Sequence, residues 1–141
     1  GMKVCYFSTS GTGHCKEYPC LSLEELLKVS DVVSVHAPLN ERTLNLLGAK
    51  EFAMMKPTAI IVNAGRGAII VEADLAEAVD NGVIAGAGID VFVQEPIPED
   101  HPYLKMKHPE RMRLTPHVAW ASVEARRRLV SMMADNVRKG W

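Results

Sequence analysis

Ala59-Ile60-Ile61-Val62-Asn63 runs directly into Ala64-Gly65-Arg66-Gly67. The first five residues form a compact apolar run of the kind buried on both faces in a parallel sheet. The glycines around Arg66 let the backbone turn tightly and approach a ligand. In open parallel sheets ligands bind beyond the carboxyl ends of the strands. Reading this stretch as strand then turn therefore sets both the fold and the place to look for chemistry.

Working outward, Met2–Phe7 reads as a strand that runs into a turn-type cluster, Ser8 to Gly13. Ser22-Leu23-Glu24-Glu25 is a capping box that predicts a helix to about Val29. Asp31–His36 is the next strand, stopped by Pro38, and Asn40 caps a helical turn beyond it. A helix over Ala49–Met55 ends before Pro57. After the central stretch, Glu72–Asn81 reads as a helix with Asn81-Gly82 as its stop. Strands over Ile84–Val91 and Met112–Thr115 flank a proline-rich loop, and Ser122–Lys139 is the last helix. Strands alternating with helices predict an α/β fold with a mostly parallel sheet.

At 141 residues the chain has room for one domain. With 48% hydrophobic and 23% charged residues, it lies in the globular range, which disfavours disorder and coiled coil. Sixteen Lys and Arg against 17 Asp and Glu leave a net charge of -1, so nucleic acid and anionic membrane are not expected partners. The basic run Arg126-Arg127-Arg128 reads as a solvated helix face. Cys5, Cys15 and Cys20 have no C-x-x-C spacing and no matching His pair, so reduced thiols in a cytoplasmic protein and no metal site are expected. No apolar run reaches the roughly 18 residues that span a bilayer. Gly1 before Met2 reads equally as a tag scar or a native residue.

The strand-end rule selects His36, Asn63–Gly67, Asp90–Pro96 and Pro116–Ser122. An arginine at 66 can clamp a carboxylate through two parallel hydrogen bonds. Glu95 and His117 follow different later strands, and a carboxylate facing an imidazole fixes its tautomer, giving an acid-base group beside an anion clamp. Taken singly, each of these residues is ordinary surface composition. His14, His101 and His108 sit in polar or proline-flanked loops and are assigned no role. Met54, Met55, Met132 and Met133 read as helix packing.

Four ordered segments carry a family resemblance. They are Ser30-Asp31-Val32-Val33-Ser34-Val35-His36-Ala37-Pro38-Leu39, Val62-Asn63-Ala64-Gly65-Arg66-Gly67, Gly88-Ile89-Asp90-Val91-Phe92 through Glu95-Pro96, and Thr115-Pro116-His117. Over essentially the whole chain they resemble the signatures of the D-isomer-specific 2-hydroxyacid dehydrogenases. Within that family, Tyr6–Gly11 and His117–Ser122 look most like the glycerate dehydrogenase (hydroxypyruvate reductase) branch.

The resemblance implies a Rossmann-type doubly wound parallel sheet lacking its first strand and helix, with residues 1–141 a partial NAD(P)-binding domain. It implies that Arg66 holds the substrate's carboxylate and carbonyl, His117 protonates the carbonyl oxygen, and Glu95 orients His117. Ser8, His36, Ala37, Pro38, Thr43, Asn63, Ala64, Gly65, Asp90, His117 and Ala119 would line the dinucleotide site, Asp90 at the nicotinamide amide. Trp120 is weighed equally as a pocket wall and as a packing aromatic. The implied partners are a 2-keto or 2-hydroxy acid and a second copy of the chain.

Two departures qualify the resemblance. No G-x-G-x-x-G occurs in the sequence, although dinucleotide folds hold the pyrophosphate on that turn. In the strand order 3-2-1-4-5-6 the missing first strand is central. The expected gap lies between Met2–Phe7 and Ala59–Asn63, closed by direct pairing of the two or by self-association. Ser8 also stands where the family usually has an acidic residue for the adenosine ribose, so NAD is the expected cofactor and NADP stays open. Two further readings stand beside the enzyme: a dinucleotide-responsive interaction module like the family's corepressors, and a fragment with no function of its own. Arg66, Glu95 and His117 together favour catalytic ancestry over the interaction module.

Overall fold

The computed structural model describes residues 1–140. Four strands, β1 (Val32–Val35), β2 (Ile60–Asn63), β3 (Gly86–Ile89) and β4 (Met112–Leu114), form one parallel sheet in the order β1-β2-β3-β4. The register pairs Val35 with Asn63 and Asn63 with Ile89, so the carboxyl ends of neighbouring strands lie side by side. Parallel neighbours need crossovers. The one from β1 to β2 contains α2 (Ala49–Phe52) and the one from β2 to β3 contains α3 (Glu72–Asp80), while α1 (Leu23–Val29) precedes β1 and a last helix, α4 (Val123–Lys139), follows β4.

The capping box is present at α1: Ser22 Oγ accepts from the Glu25 amide, and Glu25 Oε2 accepts from the Ser22 amide. Gly82, just past α3, has φ of +69°, a left-handed conformation that glycine adopts without strain. Asp74 of α3 accepts from the Ala49 amide at 2.9 Å, tying the start of α2 to α3.

Burial alternates along the strands, as the period of two requires. Val33, Val35, Ile61, Ala87, Ile89 and Met112 share the buried face, packed with Leu27, Phe52, Leu75 and Val79 from the helices. Val32, Ser34 and Ile60 point the other way and are exposed, Ile60 by 44%. The apolar run of β2 is thus covered on one face and not on both.

The strand ends lie at or up to two residues inside the expected limits, the helix from Ala49 stops at Phe52 instead of Met55, and three other expectations are corrected. Met2–Phe7 forms no strand; its sheet-like contact is the single Tyr6–Cys20 bridge. Ile60–Asn63 is an interior strand paired on both sides, so the edge on that side of the sheet is Val32–Val35 and no direct pairing joins Met2–Phe7 to Ile60–Asn63. In the order 3-2-1-4-5-6 the fourth strand lies beside the first; with Met2–Phe7 and the segment at Cys20, bridged to each other, as second and third, Val32–Val35 takes the fourth place. Finally, Met55 is buried and Met54 partly so, but Met132 and Met133 are 57% and 59% exposed. Helix α4 buries no residue, so its methionines have nothing to pack against among the described residues. The Arg126–Arg128 run is exposed on the same helix.

Candidate active site

All four strand ends feed one rim of the sheet. Asn63, 1% exposed, shapes the first contribution. Its Oδ1 accepts from the Gly65 amide and its Nδ2 donates to the Arg66 carbonyl, both at 3.0 Å. The side chain thus closes the turn that carries Arg66 out to solvent. A β-carbon at Gly65 would stand 3.3 Å from the Val35 carbonyl, so this turn lies against the end of β1 and the His36–Pro38 loop. Among the described residues Arg66 has no acidic partner; its Nη1 donates to the Gly65 carbonyl at 2.8 Å.

The second contribution is the loop after β3. Its Glu95 Oε1 accepts from the Phe92 amide at 3.0 Å, and Oε2 accepts from His117 Nδ1 at 2.8 Å. Because a carboxylate only accepts, the pairing puts a proton on Nδ1 and leaves Nε2 facing the site. Hydrogen bonds from His117 and then from the Phe92 amide hold the Glu95 carboxyl below its ordinary pKa.

His117 itself sits at φ of +54°, an uncommon backbone for a residue with a β-carbon. Asp90 supplies the restraint that holds it there. The Asp90 carbonyl accepts from the His117 amide at 2.8 Å, and its carboxylate accepts from the Thr115 hydroxyl and the Val118 and Ala119 amides. Burial alone would raise the Asp90 carboxyl, but the hydrogen bonds from Thr115, Ala119 and Val118 outweigh it and hold it below its ordinary value. Trp120, 57% exposed, donates from Nε1 to the His117 carbonyl at 2.8 Å. It is neither pocket wall nor core packing but a brace on the His117 turn.

Arg66, Glu95 and His117 meet in one open cavity of about 320 Å³, walled by Leu39, Phe92 and Val93. A second hollow, of about 350 Å³, is lined by Thr9, Ser10, Pro38, Asn40, Glu41 and Arg42. Ser8 lies beside it, with its hydroxyl 3.0 Å from that of Ser10. The other expected cofactor residues divide into two groups. His36, Pro38, Ala64 and Ala119 are exposed on the rim, with Ala37 and Gly65 half-buried there. Thr43 is fully buried, donating to the Pro38 carbonyl at 2.6 Å and accepting from the Asn40 amide, so its hydroxyl shapes the 38–43 loop. Arg42 was not selected by the strand-end rule because it lies in the turn beyond Pro38; only the folding of that turn against Ser8–Ser10 brings it to the rim.

The model of the D-isomer specific 2-hydroxyacid dehydrogenase NAD binding domain matches residues 1–119. The chain is 49% identical to a glyoxylate reductase of Korarchaeum cryptofilum and 44% identical to a glycerate dehydrogenase of Methylorubrum extorquens, covering 97% of this chain and 41% and 42% of those proteins. Its structure is similar to that of an NADPH-dependent glyoxylate/hydroxypyruvate reductase of Sinorhizobium meliloti in complex with NADP and malonate. The TM-score there is 0.81 at 31% identity, over 98% of this chain and 42% of that one. The chain spans about two fifths of the length of the curated relatives it matches. Parallel sheet, strand-end residues and family model agree, and the chain belongs to the D-isomer specific 2-hydroxyacid dehydrogenases, within their NAD-binding domain.

Proposed function

We propose that residues 1–141 are part of the nucleotide-binding domain of a dehydrogenase that interconverts a 2-keto acid, such as hydroxypyruvate or glyoxylate, and its D-2-hydroxy acid. The observation that carries this reading is the His117–Glu95 pair facing Arg66 across one cavity. The Arg66 guanidinium binds the substrate carboxylate. His117 Nε2 delivers a proton to the carbonyl oxygen in reduction and removes it in oxidation, while Glu95 holds the ring through its Nδ1 proton. The bound nicotinamide supplies the hydride. The residues of the rim fit such a group: the Gly65 turn is close to β1, and the hollow at Thr9 and Ser10 offers hydroxyls to the adenosine ribose.

NAD is the first cofactor under this reading, and the hollow also accommodates NADP. Ser8, Thr9 and Ser10 present no carboxylate to repel a 2'-phosphate, and Arg42 lines the same hollow. Among the described residues no helix is long and apolar enough to cross a membrane. The open β1 edge supports self-association of the chain.

The test is reduction of hydroxypyruvate and glyoxylate with NADH and NADPH, with His117→Ala as control. Loss of about 10²–10⁴-fold in turnover supports the acid role; an unchanged rate overturns it. Dinucleotide binding by residues 1–141 alone is expected to be weak or absent, because no G-x-G-x-x-G turn occurs in them, and tight binding overturns that expectation. Amide chemical shifts locate any weak binding: perturbation centred on 36–38, 63–66, 90–95 and 117–119 supports the reading, and perturbation centred away from this rim overturns it.

A further inference from the structure

Away from the cavity, the molecule buries a second histidine–carboxylate pair. His101 is 4% exposed, and its Nε2 lies 3.1 Å from Glu72 Oε2. The Tyr103 amide donates to His101 Nδ1 at 3.2 Å, so Nδ1 carries a lone pair and the ring proton sits on Nε2, donated to Glu72. The other Glu72 oxygen, Oε1, accepts from the Val93 amide at 2.9 Å. Glu72 opens α3 and His101 precedes the 3-10 turn Pro102–Lys105, so the pair ties two distant segments to the loop after β3.

That loop is the one that carries Glu95. Its two successive amides are each taken by a different carboxylate: Phe92 by Glu95 and Val93 by Glu72. The Phe92 ring stands edge-on to His101, with centroids 5.8 Å apart and planes at 89°, and it also packs against Tyr103. No regular secondary structure holds residues 92–95. Their position is set by Glu72 and His101 from behind and by His117 in front.

We propose that Glu72 and His101 are positioning residues for the acid-base pair: they anchor the Phe92–Glu95 turn and thereby keep Glu95 on His117 Nδ1. This rests on the dehydrogenase reading for its purpose, but not for its test, which uses neither dinucleotide nor substrate. Neither residue lines the cavity. They act on the chemistry only through Glu95: the buried His101 ring holds Glu72, since an unmade bond there would leave a desolvated polar group, and Glu72 in turn holds the Val93 amide at the surface.

The first readout is amide hydrogen exchange in the unaltered chain. The Val93 and Phe92 amides should be protected although they lie in a loop, and free exchange of Val93 overturns the proposal. The second is the tautomer of His117, read from its ring nitrogens by nuclear magnetic resonance. The Nδ1–H form should dominate in the unaltered chain. It should lose that dominance in Glu72→Ala and in His101→Phe, which keeps ring volume but not the hydrogen bonds. His101→Gln, which restores a donor towards Glu72, should recover it. Val93 exchange should accelerate about fivefold in the first two variants, as loss of its hydrogen bond to Glu72, which lies at the surface, implies. A folded Glu72→Ala or His101→Phe chain with the His117 tautomer unchanged overturns the proposal. If neither variant folds, the exchange result on the unaltered chain decides it. Failure here leaves the dehydrogenase reading untouched, and failed dinucleotide binding leaves this link untouched.

Discussion

Gly67 packs directly against the backbone of Phe92: a β-carbon at 67 would overlap the Phe92 carbonyl and stand 2.5 Å from the Val93 amide nitrogen. Backbone cannot swing aside as a flexible side chain can. The contact joins the turn that carries Arg66 to the loop that carries Glu95, so Arg66 and the Glu95–His117 pair share one spacing. Gly67→Ala is expected to destabilise the chain by about 1–3 kcal/mol, measured by urea denaturation. In a folded variant, amide shifts should move at both 64–67 and 91–95. Movement at only one of the two loops would show that they are not coupled here.

Asn63 is the keystone of the Arg66 turn. Asn63→Ala removes a buried donor and a buried acceptor together, leaving the Gly65 amide and the Arg66 carbonyl without side-chain partners. The expected cost is about 1–3 kcal/mol. Asn63→Asp keeps the acceptor for Gly65 but turns a buried carboxylate oxygen onto the Arg66 carbonyl, so at neutral pH it should cost at least as much as Asn63→Ala. A clearly smaller loss would mean that the Arg66 carbonyl bond contributes little and the Gly65 bond carries the turn.

The Asp90 carboxyl lies below its ordinary pKa in the folded chain. A depressed carboxyl contributes stability that is present above the unfolded value, about 3.9 for Asp, and is lost as pH falls through the folded value. Thermal stability should therefore hold from about pH 7 to pH 5 and decline below about pH 4. Asp90→Asn should be less stable at pH 7 and show a shallower decline in acid. A decline as steep as that of the unaltered chain would assign the acid sensitivity elsewhere.

At the second hollow, Ser8→Asp introduces a carboxylate beside Ser10 and Arg42. NADPH binding should weaken by about tenfold or more relative to NADH, since like charges at close range cost on the order of 1 kcal/mol even in water. Arg42→Gln should weaken NADPH more than NADH. Both ratios come from parallel titrations, and a ratio that does not move with either change would separate this hollow from cofactor choice.

The β1 edge is unpaired, with Val32 exposed on it. Sedimentation of residues 1–141 should show concentration-dependent association, reduced by Val32→Lys, because a charge on an open strand edge opposes pairing with another chain. A monomer at all concentrations would remove the edge as a pairing site.

The α/β class was legible because it is written locally. Ser22 and Glu25 cap a helix whatever surrounds them, Asn81-Gly82 ends one, and the apolar runs at β1 and β2 mark strands. Arg66, Glu95 and His117 were legible because each follows a strand of a parallel sheet, whose carboxyl ends share one rim. Burial on the two faces of that sheet was not legible. Ile60 and Ile61 are equally apolar in sequence, yet they differ because only one face meets helices.

Met2–Phe7 apart, the sequence by itself determined which segments are helix and strand and which residue types stand at the strand ends, since both follow from near-neighbour patterns. The tertiary structure alone decided what those residues do there. Asp90 and Asn63 spend their polar atoms on holding turns, Trp120 braces a backbone carbonyl, and His101, unremarkable in its loop, is buried on Glu72 behind the turn of Glu95. Asn63 and Trp120 find partners within three positions, but Asp90 and His101 depend on partners 25 to 29 positions away, and such donors and acceptors meet in space with no trace in local sequence.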